Sequence, residues 1–341
     1  MAQYAPVAEH VSKEPHVLPH QELRAAICAM LVTGAPRQAV IARAVEAGAA
    51  LAEAEAIAQE FSVEPLLTLT RQTWLRLQCR DWWLGALASL DSVAGQVGRV
   101  DVRSSIGRTE FLDQYYFRNR PLHLPRAAAE WPAVVKWRGS DYLTATCGEE
   151  IIEVMVNRQS AQTSDQNTAD ALRRRMTLAE YVSIVEQGPS NEHYMVSRNR
   201  FFEKGEAARL LGDLGDLSIV NTHPAPADVR MWFGPAGTIT PLHYDDRNNV
   251  IVQIVGTKKV RLYAPYDSEF MNQIQIWYGL TDPRDQPPQL SDRSAAEITL
   301  DLCPGDALFI PVGWWHALTA VDTSITLAFI DFGVTNLYAP R

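Results

Sequence analysis

Two different rhythms of apolar residues divide the chain. From Gln21 to about Leu90 they recur three and four positions apart, with Leu23, Ile27, Met30 and Leu31 in one stripe and Val40, Ala44 and Ala47 in another. A period near 3.6 is what an amphipathic helix needs to bury one face. Gly34 with Pro36, and then Gly48, punctuate the stretch into short helices. The segment Glu64–Leu90 carries Leu67, Trp74, Leu77, Trp82 and Leu84, enough bulk for a helix packed against something large. It reads as part of a helical bundle or as the contact of a homodimer. Gly95 and Gly98 close the region, which we take as an α-helical domain over residues 21–98. Before it, residues 1–20 hold three prolines and His10, His16 and His20 at irregular spacing without an apolar period, the pattern of a mobile leader and not of a metal site.

From Val100 onward the pattern changes to short apolar runs separated by Gly, Pro, Asn and Asp, the texture of antiparallel β structure. Strands are predicted at Val229–Phe233, Asn249–Val255, Lys258–Tyr263, Ile298–Leu302, Ala307–Ile310 and Ser324–Phe329, with helical pieces at Arg108–Phe117 and Thr177–Glu186. Residues 99–341 therefore read as a mainly β domain flanked by helices, and no internal repeat is present.

Composition narrows the function classes. The 341 residues suggest two or three units at roughly 100–200 residues each. With 47% hydrophobic and 21% charged residues, a disordered or fibrous chain is excluded. No window reaches the roughly 18 apolar residues of a membrane span, and the start lacks the basic and apolar regions of a signal peptide, so the expectation is a cytoplasmic protein without a membrane partner. Thirty-one Lys and Arg against forty Asp and Glu leave a charge of −9, the wrong sign for holding nucleic acid, which also weighs against a DNA-reading helix-turn-helix in the helical region. Cys28, Cys79, Cys147 and Cys303 form no paired motif and read as reduced thiols.

The candidate chemistry lies in the β region. In Thr240-Pro241-Leu242-His243-Tyr244-Asp245, His243 and Asp245 sit two apart, so an extended backbone projects both from one face. His316 follows 71 residues after Asp245, beyond a Gly-Asp turn and a predicted strand. Two imidazoles and one carboxylate on one side of a metal leave adjacent coordination positions open, the arrangement that suits iron(II) oxygen chemistry. Singly, each part is a common chance pattern; it is their combination that carries weight. Across Lys258–Tyr263, Lys258 shares a face with Val260 and Leu262, whereas Lys259 and Arg261 fall on the other. A lysine among apolar residues needs an anion, either an internal carboxylate or a bound dicarboxylate.

The run WFGPAGTITPLHYDDRNNVIVQIVGTKKVRLYAP (Trp232–Pro265), followed by PGDALFIPVGWWHALTAVDTSITLAF (Pro304–Phe329), closely resembles the JmjC-type, cupin-fold 2-oxoglutarate oxygenases, and most of all their asparaginyl and arginyl protein hydroxylases rather than their histone-demethylase branch. FLDQYYFRNRPLHL (Phe111–Leu124), EWPAVVKW (Glu130–Trp137), MTLAEYV (Met176–Val182) and HYMVS (His193–Ser197) resemble the usual lead-in, so the likeness covers about residues 105–333. It implies a double-stranded β-helix of the cupin or jelly-roll kind. It also implies Fe(II), 2-oxoglutarate and O2 as cofactor and co-substrates, and a peptide, protein or amino-acid-derived substrate that is hydroxylated. Carried over residue by residue, His243, Asp245 and His316 match the iron ligands. Lys258, fifteen positions after His243, matches the lysine on the distal carboxylate of 2-oxoglutarate. Thr240 matches the hydroxyl sharing that carboxylate; Asn249 and Tyr194 match polar residues of the pocket, and Trp232 lines it.

Two departures limit the transfer. Ala328 stands where the asparaginyl hydroxylases have asparagine, and the connection Tyr266–Ile298, with PRDQPPQ (Pro283–Gln289), is shorter than the substrate-binding insertions of relatives. Two further readings stay open: a zinc or manganese cupin isomerase, which wants a fourth protein ligand that His223 in a loop does not supply, and a non-catalytic cupin that binds a small molecule.

Overall fold

The apolar stripes of the first region close on one another. The computed structural model describes residues 19–158, 172–221, 224–271, 289–290 and 293–338. The chain divides into two compact units, Met1–Leu87 and Ala88–Arg341. In the first, helices α1 (His20–Val32), α2 (Arg37–Glu46) and α3 (Leu51–Ser62) bury Leu23, Ile27, Val40, Ala44, Ala54, Ile57 and Ala58 together. Helix α1 begins at His20, inside the stretch expected to be leader; His10 and His16 lie outside the described residues. Gly34 ends α1 at φ +91°, with its N–H donating to Leu31 and that of Ala35 to Met30, the left-handed closure that glycine adopts without strain. A fourth helix, α4, runs Pro65–Val93. It carries the expected bulky residues, yet none of its residues is buried among the described ones, and Trp82 and Trp83 stand exposed. No helix among the described residues is long and apolar enough to cross a membrane.

The second unit is built from strands β1 (Asp101–Val102), β2 (Leu122–Leu124), β3 (Ile151–Met155), β4 (Arg173–Thr177), β5 (Tyr194–Met195), β6 (Val229–Gly234), β7 (Ile239–His243), β8 (Asn249–Val255), β9 (Lys258–Tyr263), β10 (Gln289–Leu290), β11 (Arg293–Ser294), β12 (Ile298–Leu302), β13 (Ala307–Ile310), β14 (Trp315–Ala320) and β15 (Ser324–Phe329). A nine-stranded sheet has the order β1-β2-β13-β8-β15-β6-β5-β3-β4 and a four-stranded sheet the order β12-β9-β14-β7. From β6 to β9, and again from β12 to β15, the chain crosses from one sheet to the other at each turn, which makes the double-stranded β-helix expected from the resemblance. The turn between β8 and β9 needs Gly256: it sits at φ +68°, and an added Cβ would meet the carbonyl oxygen of Thr323.

Period-two alternation sorts the side chains. Val250, Val252 and Ile254 of β8 pack outward into the core beneath the flanking helices, with Ile325, Leu327 and Phe329 of β15. Ile251, Leu308, Ile310 and Ala328 point the other way and meet Val260, Leu262, Leu302 and Leu318 from the smaller sheet. This second cluster fills the barrel between the sheets. One sequence boundary moves: Pro311 follows β13 and Gly313 turns the chain at φ +79°, so His316 belongs to a strand of its own, β14, in the smaller sheet. The stretch expected as one helix over Arg108–Phe117 is an α-turn, Arg108–Phe111, continued by a π-turn, Leu112–Tyr116. Its wider spacing brings Phe111 and Tyr116 onto Phe309 and Phe332. The helix Leu178–Val185 starts on a reciprocal cap between Thr177 and Glu180.

Flanking helices are pinned by one buried carboxylate. Asp213 accepts from Lys136 Nζ at 2.5 Å, Trp137 Nε1 at 2.9 Å and Tyr142 OH at 2.8 Å. Burial alone would push its pKa up; the three donors outweigh it and hold the carboxyl below its ordinary value. The linkage sign follows: this stabilisation is complete above the ordinary carboxylate range and is lost as pH falls through the lowered pKa. Asp213→Asn should cost roughly 2–3 kcal/mol at neutral pH, because the Trp137 and Lys136 donors lose their charged acceptor. Thermal melts should show the gap to wild type narrowing at acid pH; a gap that widens as pH falls would contradict this assignment.

Candidate metal centre and co-substrate pocket

Strand β7 is the edge of the smaller sheet, a place where proline is tolerated because no ladder hydrogen bond is lost. Pro241 sits there, and the pairing with β14 slips beside it: His316 opposes His243, but Leu318 opposes Thr240. Directly opposed residues of an antiparallel pair point to the same side, so the register itself brings the two imidazoles together, ring centroids 4.1 Å apart. Each ring is oriented by the backbone two residues earlier. Nδ1–H of His243 donates to the Pro241 carbonyl at 2.7 Å, and Nδ1–H of His316 to the Trp314 carbonyl at 2.9 Å. A carbonyl only accepts, so Nδ1 carries the proton and Nε2 is the ring nitrogen suited to a ligand role.

Asp245 lies beyond the end of β7, in the loop, and not on the strand face that the two-residue spacing suggested. Its position is set by other contacts: its carbonyl accepts from Gly313 N–H at 3.2 Å, and its Oδ2 accepts from Asn249 Nδ2. Oδ2 stands 3.7 Å from His316 Nε2, and the ligand atoms of His243, Asp245 and His316 all lie within 4.8 Å of one another. His316 is buried, and its pKa is pushed down to about 4, by burial first and by the neighbouring His243 second. It is therefore neutral at pH 7, the state in which an imidazole binds a metal. Two nitrogens and one carboxylate oxygen converging with a fixed tautomer fit a divalent transition metal, iron(II) included.

The other end of the pocket is cationic. Lys258 opens β9 with only 2% of its surface exposed, inside the barrel with Val260 and Leu262. Its Nζ donates to Tyr194 OH at 3.2 Å, and that hydroxyl is 3.2 Å from Thr240 Oγ1. Lys258 has no carboxylate partner among the described residues. The contrast on the outer face of the same strand is direct: Arg261 gives its Nε–H to Glu297 at 2.7 Å, and Tyr263 OH joins that carboxylate at 2.5 Å. A buried ammonium without an anion is costly, and a carboxylate brought by a ligand removes the cost.

Of the eight residues singled out in the sequence, His243, Asp245, His316 and Asn249 thus form one group and Lys258, Tyr194 and Thr240 another. Trp232 on β6 packs against the barrel core that includes Ala328. Asn249 touches Asp245, which makes it the support of a metal-side carboxylate. Two residues were not anticipated. Arg158 and Asn191 lie in irregular stretches with no periodic pattern around them, and only the fold brings them to Ile239. His223 and most of the Tyr266–Ile298 connection lie outside the described residues.

Residues 108–329 match the model of the cupin-like domain family, and the chain belongs to that family. It is similar to Lysine-specific demethylase JMJ30 of Arabidopsis thaliana, 28% identical over 245 residues, or 68% of this chain and 54% of that protein. Lysine-specific demethylase 8 of Xenopus tropicalis is 29% identical over 230 residues, 64% of this chain and 49% of the relative. Jumonji C domain-containing protein 5 of Drosophila melanogaster is 27% identical over 232 residues, 64% and 56%. The match spans about half the length of these relatives, and their names support the JmjC assignment of the cupin domain.

The site makes a prediction about metal alone. Manganese(II) titration followed by electron paramagnetic resonance should give one tight site in the wild type and none in His316→Ala. Asn249→Ala, which frees Asp245 to swing, should weaken that site about 10- to 100-fold. Equal affinity in all three proteins would place the metal elsewhere.

Proposed function

We propose that the chain is an Fe(II)- and 2-oxoglutarate-dependent oxygenase that hydroxylates an unactivated C–H bond of an amino-acid side chain in a peptide or protein. The balance is one O2 and one 2-oxoglutarate consumed, with the alcohol, succinate and CO2 released. The observation that carries this reading is the Lys258 ammonium, without a carboxylate partner among the described residues, buried in the same barrel as a His-Asp-His donor set. A dicarboxylate answers both: one end chelates a metal and the other neutralises a cation.

Each residue has a task under this reading. His243, Asp245 and His316 would hold the metal on one side and leave adjacent positions open; an iron(II) held there would activate O2, the oxidant, with 2-oxoglutarate supplying the electrons that the substrate C–H bond does not. Lys258 binds the distal carboxylate with a charge-assisted hydrogen bond, and Tyr194 and Thr240 aim their hydroxyls at the same point. Asn249 keeps Asp245 in place. Trp232 and the apolar barrel wall exclude water from one side. No side chain is needed as a general acid or base.

A protein substrate is supported by the names of two relatives, which are lysine-specific demethylases. Hydroxylation and demethylation start with the same C–H hydroxylation and differ in whether the product collapses, so those names agree with the chemistry proposed. The isomerase alternative wants a fourth protein ligand, and the metal-ligating group among the described residues contains only three.

Anaerobic addition of iron(II) and 2-oxoglutarate should produce a weak visible charge-transfer band. It should vanish in Asp245→Ala. In Lys258→Ala, loss of a pair of about 1.5–3 kcal/mol should weaken 2-oxoglutarate roughly 10- to 150-fold. Absence of the band in the wild type would refute the oxygenase reading.

A further inference from the structure

A second buried cation stands behind the first. Arg158 follows β3 and reaches into the pocket wall, where its guanidinium makes three contacts. One terminal nitrogen donates to Asn191 Oδ1 at 2.8 Å, and the other donates to the carbonyl of Ile239 at 2.6 Å. The Cζ atom lies 5.0 Å from the ring centroid of Tyr194. Asn191 Oδ1 also accepts the N–H of Ile239 at 2.9 Å. Both backbone groups of Ile239 are thus held by this pair, one residue before Thr240. Gly234 gives the Tyr194 ring its room: a Cβ there would come within 2.8 Å of the ring edge.

The geometry points to Arg158 as a positioning residue for the distal-carboxylate end of the pocket, holding Thr240 through Ile239 and Tyr194 through its ring face, so that the Tyr194 hydroxyl, steadied by Thr240, stays on Lys258. The inference rests on the oxygenase reading above. Three features support it beyond simple packing. The contacts of Arg158 fall on Tyr194, whose hydroxyl meets Lys258, and on Asn191 and Ile239, which lead directly to Thr240. None of its acceptors is charged, and no carboxylate lies within ion-pair distance among the described residues, so its positive charge is not spent on an internal partner. Burial pushes its pKa down, yet a guanidinium keeps its proton at neutral pH. Two cations beside Tyr194, neither with a carboxylate at ion-pair distance among the described residues, favour a dianionic co-substrate over a 2-oxoacid without the second carboxylate. Lysine at this position would keep the charge but lose the planar fork that spans Asn191 and Ile239.

The test is calorimetric binding to the full-length, manganese(II)-loaded protein, comparing 2-oxoglutarate with 2-oxobutyrate, which lacks the distal carboxylate. Arg158→Met should weaken 2-oxoglutarate roughly tenfold or more and leave 2-oxobutyrate within about twofold, with manganese affinity unchanged; Arg158→Lys should recover only part of the loss. A merely structural role would weaken both oxoacids alike, and that outcome, or unchanged affinity for both, overturns the proposal. If Arg158→Met does not fold, Asn191→Ala carries the same comparison, with the same loss of selectivity expected and equal weakening contradicting it. Lys258→Ala separates the two readings. If Lys258→Ala loses 2-oxoglutarate while Arg158→Met does not, only the role of Arg158 fails; if the wild type itself binds no 2-oxoglutarate, the oxygenase reading fails first.

Discussion

A lysine ammonium enclosed in a β-barrel, with no carboxylate partner among the described residues, is the constraint on which the site depends. Removing a charge from water costs several kcal/mol even after relaxation, and folded chains meet that cost by pairing charges. This chain does so elsewhere: Arg261 and Tyr263 share Glu297, and Lys136 is taken up by Asp213. Lys258 instead donates to the Tyr194 hydroxyl, which is held in turn by Thr240, and this orients the ammonium without neutralising it. The barrel is thereby built for an anion that arrives with a ligand.

The opposite end follows from backbone geometry. An edge-strand proline and a slip of register next to it place His243 across from His316 and turn the Pro241 carbonyl to accept from the His243 ring. Such bulges re-aim side chains, and here the aim is at a common point. Both ring tautomers are fixed by carbonyls of the same chain, so the donor set is prepared before any metal arrives.

Much of this was legible in the sequence, for physical reasons. Near-continuous apolar runs along β8 and β15 mark strands buried on both faces, and the alternation of Lys258, Val260 and Leu262 with Lys259 and Arg261 along β9 places Lys258 on the barrel side. Helix stripes such as Leu23 with Ile27 and Val40 with Ala44 were equally plain. The loop position of Asp245, the separate strand that carries His316 and the π-turn at Leu112–Tyr116 were not, because each is decided by contacts distant in sequence. Arg158 and Asn191 left no periodic trace, since their role exists only once β7 lies beside them. Helix α4 shows the converse: its bulky residues read as packed, and the described residues leave it without a buried position.

The account turns on one ligand bridging the two ends of the barrel. The most direct measurement is a crystal structure of the protein grown with manganese(II) and 2-oxoglutarate, with anomalous scattering to locate the metal. The result predicted is a single metal bonded to Nε2 of His243, a carboxylate oxygen of Asp245 and Nε2 of His316, chelated by the oxoacid end of a ligand whose far carboxylate meets Lys258 Nζ. A metal outside that triad, or a far carboxylate turned away from Lys258, would contradict it.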